Sequence, residues 1–337
     1  MINFKRYNNL LGWITFLITF IVYTMTVERS VPLWDCGEFI SASYTLQVVH
    51  PPGAPLFLML GRLFSLFSFG NPENVAMAVN MLSVFMSALT VMFSFWIITH
   101  FARKIMGLGL QEKSIDSGKG LMVFGAGLVG ALAMTFMDTF WFSGVEAEVY
   151  ASSSMFTMLG FWAILKWEVN KHRPGSERWL VFIAYTIGLA IGLHLLNLLV
   201  IPAVVLYYFM NKYPVTRPNI IRAIAVGFGS LVFVNWGIIP GTVKIGAAMD
   251  RLFTNSFGLP FHTGLIFTAI LIFGLLAFGL YYTQKKNKAV LNLAFLCLTF
   301  IMMGYSSYTM VVIRSSSNPP IDMNNPEHAY TLLSYIQ

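Results

Sequence analysis

Long apolar runs separated by short polar segments dominate the 337-residue chain. A helix that crosses a bilayer needs about 20 mostly apolar residues, and nine runs approach that length. The pattern therefore predicts an all-α integral membrane protein, a polytopic bundle of about nine transmembrane helices. The predicted spans are 10–27, 75–101, 120–137, 151–168, 179–193, 195–211, 221–240, 262–283 and 289–312.

Two apolar segments allow more than one interpretation. Residues 179–211 could form one long tilted helix, but two glycines and Pro202 interrupt the run, and basic residues flank it on both sides. Those flanking charges favour two spans. Residues 54–69 are apolar but short, with Arg62 in the middle. We predict that they form an interfacial helix at the outer face rather than a span.

The basic residues orient the predicted bundle. Of the 21 Lys and Arg residues, 16 fall on one side of the membrane, which the positive-inside rule makes the cytoplasmic side. The N-terminus is then cytoplasmic and the C-terminus lies outside, as in a multi-pass inner-membrane protein. The net charge of +7 is thereby explained by topology, and no nucleic-acid partner is predicted. The two cysteines, Cys36 and Cys297, predict neither a disulfide nor a zinc site.

The acidic residues are distributed in the opposite way. Ten of the 14 Asp and Glu residues fall on the predicted outer side, mostly in 28–53, 138–150 and 314–337. The positive-inside rule says little about acidic residues, so this excess needs another explanation. If the three stretches converge, they form a polar, outward-facing site above an apolar bundle.

The first acidic stretch contains the strongest catalytic candidates. Its pattern predicts a helix from Asp35 to Val49, with Asp35 able to cap its N-terminus and Glu38 on the same face. His50 precedes two prolines and ends the helix. Asp35 could be only a cap and Glu38 only a solvated charge. Carboxylates beside an apolar surface are costly and usually functional, which favours a site.

The other two stretches supply further candidates. Glu146 and Glu148 are two residues apart, so on a helix they face away from each other and at most one faces Asp35. An exposed acidic turn is the alternative. Arg314 precedes three serines and Asn318, and a guanidinium with hydroxyl donors suits a phosphate. The alternative is an arginine that snorkels to lipid headgroups.

Three isolated polar residues are weaker candidates. His194 lies between two apolar runs, where a lone histidine is more often a helix–helix contact than a catalyst. Lys244 and Arg251 could contact a lipid phosphate or could be ordinary loop charges.

Several motifs together carry a resemblance to a known family. An acidic motif in the first outer loop, followed by a Pro-Pro-initiated interfacial helix, resembles the GT-C superfamily of integral-membrane glycosyltransferases. The motif sequences resemble those of bacterial relatives of a protein O-mannosyltransferase-like family, formerly classed as a domain of unknown function. The motifs are WDCGEF (34–39), HPPGAPL (50–56), FWFSGVEAEVY (140–150), GLHLLNLL (192–199) and IRSSSNPPIDMNNP (313–326).

The resemblance implies a GT-C-like bundle that transfers a sugar from a polyprenyl-phosphate carrier to a Ser/Thr hydroxyl of an exported protein on the outer face. Asp35 would be the catalytic carboxylate. The Asp-x-x-Glu spacing departs from the adjacent acids of many GT-C enzymes, so the role of Glu38 and any divalent metal stay open, and no metal ligand is assigned. The remaining candidates are Glu146 and Glu148 for catalysis, Arg314, His50, Arg62 and Asn318 for the donor phosphate, and His194 and Arg251 as further possibilities.

The expected partners are the lipid-linked sugar donor, an exported protein acceptor and membrane lipids. A transferase of the same build that modifies a lipid or polysaccharide is the first alternative. A transporter or flippase is the second, but such proteins place ionisable groups near the midplane and show inverted repeats, which this sequence lacks. We expect residues 1–312 to form the bundle, including the outer loop 28–74. Residues 313–337 would begin an outer-face segment of a longer protein.

Overall fold

The computed structural model describes all 337 residues, and the chain is almost entirely helical. Its one sheet is a short antiparallel pair, β1 (Ile2–Asn3) with β2 (Ser114–Ile115). The helices are α1 (Phe4–Thr26), α2 (Cys36–Thr45), α3 (Pro55–Ser65), α4 (Val75–Ile105), α5 (Ser117–Thr135), α6 (Asp138–Gly144), α7 (Val149–Asn170), α8 (Arg178–Ile191), α9 (Val200–Lys212), α10 (Arg217–Val232), α11 (Ile239–Phe257), α12 (Thr263–Lys285), α13 (Ala289–Tyr305), α14 (Thr309–Ser315) and α15 (Ala329–Ile336).

Seven helical segments are long and apolar enough to cross a membrane. This confirms a multi-pass, all-α membrane protein. Two of the nine predicted spans correspond to helices outside that set, namely α7 and the 14-residue α8. The count of nine crossings therefore stays a prediction. The seven segments are Phe4–Thr26, Pro72–Ile105, Ser117–Thr135, Leu195–Lys212, Arg217–Phe257, Thr263–Lys285 and Ala289–Ser315.

The predicted interruption between residues 193 and 195 is present. Helix α8 ends at Ile191, and a 3-10 helix, Leu195–Leu199, precedes α9. His194 is extended there, and its Nδ1 accepts a hydrogen bond of 3.2 Å from the Leu196 amide. The histidine thus caps the new helical segment, which separates 179–211 into two helices.

Two predicted boundaries are wrong. The helix expected to reach Val49 ends at Thr45, and Leu46 has a left-handed φ of 53° that stops the helical path. The outer loop expected after residue 240 is helical as far as Phe257. A π-helical stretch at 233–238 joins α10 to α11, and Pro240 stands in the first turn of α11, where its missing N–H is not needed.

The chain forms two compact units. The first unit comprises Met1–Thr45 with Met59–Ser176, and the second comprises Leu46–Leu58 with Glu177–Gln337. In the first unit, α4 is the central helix and packs against α1, α5 and α7. Between α4 and α5 lies an apolar cluster of five buried residues: Val91, Phe95, Val123, Phe124 and Ala131.

Some polar groups inside the first unit are paired across helices. The Thr19 and Thr135 hydroxyls lie 2.9 Å apart, and the Tyr23 hydroxyl donates to the Thr135 carbonyl at 2.7 Å. These bonds join α1 to the end of α5. Near the other end of α4, the Glu168 carboxylate lies 2.7 Å from both His100 and Lys104.

In the second unit, α8 packs against α13, α9 against α10, and α11 against both α12 and α15. The contact between α8 and α13 brings the two helix backbones close together. A Cβ added at Gly188 would lie 2.8 Å from the Ile301 Cα, and one added at Gly304 would lie 2.8 Å from the Gly188 Cα. Only glycine fits at these two positions without separating the helices.

Candidate functional site

Asp35 and Glu38 stand at the start of α2 in the first unit. The Asp35 carbonyl accepts the Phe39 amide at 2.9 Å, which begins the helix as the sequence predicts. The Asp35 side chain is exposed and that of Glu38 is half-buried. Their carboxylate oxygens lie within 4.8 Å of each other. The three-residue spacing therefore places two acidic groups side by side at one helix end.

A close packing contact and an arginine hold α2 in place. Gly61 of α3 lies against Ser43, so that an added Cβ would be 2.8 Å from the Ser43 Cβ. An Arg62 terminal nitrogen donates to the Tyr44 carbonyl at 2.6 Å, and its guanidinium lies 5.4 Å from the centre of the Tyr44 ring. Arg62, predicted as a phosphate ligand, thus has a clear structural task at the end of α2.

Glu146 and Glu148 lie in the turn between α6 and α7, not in a helix. The Glu148 amide donates to the Glu146 carbonyl at 2.8 Å, and Glu148 is the extended residue that precedes α7. Only 9% and 8% of the two residues is exposed. The helix assumed in the sequence analysis is absent at these two residues. Asp35 raises the pKa of Glu148 but not that of Glu146, as expected if at most one of them faces Asp35. The alternative of an exposed acidic turn is wrong, because both residues are buried.

The electrostatic environment of these acids favours their protonated forms. Burial raises the pKa of Glu148, and the nearby Asp35 and Glu146 raise it further. Burial also raises the pKa of Glu146, with a smaller contribution from Glu28. The loop between α6 and α7 is therefore within electrostatic reach of Asp35, as the sequence hypothesis of converging acidic stretches requires.

Three residues that the sequence interpretation overlooked support this arrangement. The buried Cys36 thiol lies 3.7 Å from Glu148 and donates to it, and burial raises the pKa of Cys36, so the thiol keeps its proton. From α4, the Asn80 side chain donates to the Glu28 carbonyl at 2.7 Å, and the Ser83 hydroxyl donates to the Glu148 carbonyl at 3.5 Å. Polar residues within the apolar run 75–101 were the available signal.

The phosphate candidates Arg314, His50 and Asn318 belong to the second unit. The Arg314 Nε donates to the Leu46 carbonyl, so the guanidinium is tied to the loop that carries His50. His50 is half-buried, and its carbonyl accepts the Gly53 amide at 2.9 Å in a turn. Asn318 is exposed on a turn with a left-handed φ of 49°.

The segment after α14 binds this loop along its length. The Ile321 amide donates to the Gln47 side chain at 2.6 Å. Val48 donates to the Ile321 carbonyl at 3.0 Å and accepts the Met323 amide at 3.1 Å, and the Tyr335 hydroxyl donates to the Val49 carbonyl. Two of the motifs singled out in the sequence, 50–56 and 313–326, are thus brought together in one unit.

The last two sequence candidates are His194 and Arg251. His194 caps the 3-10 helix described above, and burial lowers its pKa. Arg251 is exposed on α11. Its neighbour Asp250 is buried and accepts the Gly264 amide at 3.0 Å, which caps the start of α12.

The second unit contains an apolar cavity of about 330 Å³ between α11, α12 and α13. Two threonine hydroxyls in its wall donate to the helix backbone, Thr242 to the Ile238 carbonyl and Thr268 to the Gly264 carbonyl. The surface that remains is almost entirely hydrocarbon. One lining residue, Val312, lies two positions before Arg314 on α14.

The chain is similar to a family of known membrane proteins. The family profile "Protein O-mannosyl-transferase TMEM260 N-terminal domain" matches residues 35–217, more than half of the chain. Protein O-mannosyl-transferase tmem260 of Dictyostelium discoideum is 29% identical over 202 residues, which are 56% of this chain and 22% of that protein. Protein O-mannosyl-transferase TMEM260 of Mus musculus is 28% identical over 171 residues, 50% of this chain and 21% of that protein.

The chain therefore spans about a fifth of the length of these curated relatives. No solved structure matches it. The family match begins at Asp35 and includes Glu38, Glu146 and Glu148, but it ends before Arg314.

Proposed function

The chain belongs to the protein O-mannosyl-transferase TMEM260 N-terminal domain family, and from this premise we propose that it is the membrane part of a protein glycosyltransferase. The reaction moves a hexose, mannose by analogy with the names of the relatives, from a polyprenyl phosphate to a Ser/Thr hydroxyl of an exported protein. It takes place on the outer face of a bacterial inner membrane. The observation that carries the proposal is the Asp35–Glu38 carboxylate pair, within 4.8 Å at the start of α2.

Asp35 is the general base of the proposed reaction. It is the exposed member of the four candidate acids, whereas Glu146 and Glu148 are buried in surroundings that favour their protonated forms. Asp35 takes the proton of the acceptor hydroxyl while the oxygen of that hydroxyl attacks the anomeric carbon. The bond from that carbon to the phosphate oxygen breaks, and the polyprenyl phosphate leaves with the bonding electrons.

Glu148 has a supporting role in this scheme. Burial and the nearby Asp35 raise its pKa, which favours the protonated form of Glu148 beside the proposed base. The Cys36 thiol donates to Glu148 and fixes its direction. Glu38, within 4.8 Å of Asp35, is the second carboxylate available to orient the acceptor hydroxyl.

Arg314 is the proposed partner of the donor phosphate. A guanidinium carries five N–H donors in a planar fork, and the bond from Nε to the Leu46 carbonyl orients that plane. A positive group stabilises the negative charge that develops as the phosphate leaves. His50, on the same loop, is the second candidate for this interaction.

The apolar cavity between α11, α12 and α13 supports a lipid-linked donor. Its volume, about 330 Å³, is in the range of ligand sites, and its inner surface suits a hydrocarbon chain. Val312 lines it, and Arg314 lies two positions later on another face of the same short helix.

The donor class can be tested directly. The full chain, purified in lipid nanodiscs, would be incubated with an exported acceptor protein and either radiolabelled polyprenyl-phosphate mannose or labelled GDP-mannose. We expect label to enter protein Ser/Thr residues from the lipid donor alone. Transfer from the nucleotide sugar in nanodiscs that contain no polyprenyl phosphate would contradict the proposal. Label found only in lipid or polysaccharide would assign the protein to the alternative acceptor class.

A further inference from the structure

A second cavity, of about 560 Å³, lies in the first unit between the end of α5, α6 and the start of α7. It is far larger than the space a single water needs and falls in the range of small-ligand sites. Its lining has no charged residue. The residues that characterise it are Met134, Met137, Phe140, Thr139, Tyr150 and Ser154.

Two hydroxyl groups of this cavity can bind a ligand. The Ser143 hydroxyl donates to the Thr139 carbonyl, but the Thr139 and Ser154 hydroxyls make no hydrogen bond within the chain. A hydrocarbon chain would offer these two groups nothing, whereas the amide groups of a polypeptide would pair with them.

The apolar part of the lining is adaptable. Methionine is unbranched, has three rotatable bonds and fits differing side chains, and two methionines line this cavity together with Phe140. The absence of lining charge disfavours a phosphate. Uncharged hydrogen-bonding groups beside flexible apolar ones suit a polypeptide whose side chains vary from one substrate to the next.

The cavity adjoins the acidic groups of the first unit through one helix. Glu148 immediately precedes α7, and Tyr150 and Ser154 follow in the first two turns of that helix. A polypeptide bound in the cavity would therefore lie along the helix that begins at Glu148, the acid whose pKa is raised in part by Asp35.

We infer that this cavity is the acceptor subsite, which binds an uncharged, extended polypeptide segment next to the Ser/Thr that receives the sugar. The inference rests on the proposed function and adds to it the place and chemistry of acceptor recognition. The cavity, its lining and the polar groups without partners come from the first unit alone.

The first test narrows the cavity. Ala133 lines it and is exposed, so Ala133→Trp adds an indole at the mouth without displacing core residues. Val129, one turn earlier on α5, is 72% exposed and does not line the cavity, so Val129→Trp is the matched control. With synthetic peptides that carry one threonine between alanines, we expect Ala133→Trp to raise the peptide KM by tenfold or more. The turnover at saturating peptide and the KM for polyprenyl-phosphate mannose should stay at the parental values.

The second test needs no catalysis. A benzophenone side chain at Ser154 should crosslink to the same peptide on illumination, and one at position 129 should not. Crosslinks at 154 in a protein that transfers no sugar would refute the proposed function and leave the peptide site standing. Crosslinks to lipid alone, an unchanged peptide KM in Ala133→Trp, or a raised KM for the lipid donor would each overturn the acceptor subsite.

Discussion

The contact between α8 and α13 allows a sharp test of the second unit. Gly188→Ala adds one methyl group where α13 leaves no room, since the new carbon would be 2.8 Å from the Ile301 Cα and 2.9 Å from the Ile301 carbonyl carbon. Two carbons pack best at roughly 3.5–4.0 Å. The helices must therefore move apart by ~0.7 Å or more at the crossing.

The cost of that movement follows from measured overpacking. Extra methyl groups in a well-packed interior cost about 1–3 kcal/mol, while replacing glycine by alanine within a helix contributes a gain of ~1 kcal/mol. Gly274→Ala in α12 is the matched control, because an added Cβ there meets nothing within 4 Å. The shared propensity gain cancels between the two variants, so their difference isolates a steric cost of about 1–3 kcal/mol.

The assay is reversible unfolding of both variants in mixed micelles, followed by circular dichroism. Gly188→Ala should unfold at a clearly lower denaturant fraction than Gly274→Ala, with the parent between the two. Equal stabilities would show that the α8 and α13 backbones are not in contact at Gly188, and the packing described for the second unit would then be wrong.

Three further predictions concern the site and the topology. Arg314→Ala should abolish nearly all turnover at saturating lipid donor and Arg314→Lys should keep part of it; parental rates in both would indicate a snorkelling arginine. Burial raises the pKa of Glu148, so the folded protein holds this proton more tightly than the unfolded chain, and stability is lost as pH rises from the ordinary value of 4.5 through the folded-state pKa. Glu148→Gln should flatten that loss in melting curves, and an unchanged pH profile would refute the assignment. A membrane-impermeant maleimide should label Glu73→Cys but not Lys113→Cys in intact cells, and the reverse pattern would invert the topology.

Much of the helical content could be predicted from the sequence because apolar runs of bilayer length have few other uses. Helix boundaries that depend on contacts with distant residues could not be predicted. Helix α2 stops at Thr45, and the residues that follow pair with the chain near Ile321, 274 residues after Gln47. No local pattern in the first loop contains that partner.

Residues 241–257 show a second reason why a helix can be missed in sequence analysis. Lys244 and Arg251 read as loop charges, yet both are exposed on a regular helix, α11. The informative residue was Asp250, which is buried and accepts the backbone amides of His262 and Gly264. A charge that caps the following helix looks in sequence like any other acidic residue.

In the candidate site, too, one part could be predicted from local spacing and another part depends on distant contacts. The spacing of Asp35 and Glu38 was sufficient to place them together, because Asp35 immediately precedes α2 and Glu38 lies in its first turn. Glu146 and Glu148 were assigned helical geometry that they do not have, and Glu148 is contacted by Cys36 and by Ser83 of α4, which lie far from it in the sequence. Tertiary contacts of this kind change a carboxylate from a solvated charge into a group with a raised pKa.

The most direct test of the proposed reaction is the turnover of Asp35→Asn with saturating polyprenyl-phosphate mannose and acceptor peptide. The asparagine keeps the size and the capping ability of the aspartate but is not a base. Glu73→Gln, an exposed change in the same outer loop, is the control. We expect Asp35→Asn to lose a factor on the order of 10² or more in turnover, with donor binding intact and the control at the parental rate. Near-parental turnover in Asp35→Asn would show that the base is another group and would contradict the mechanism.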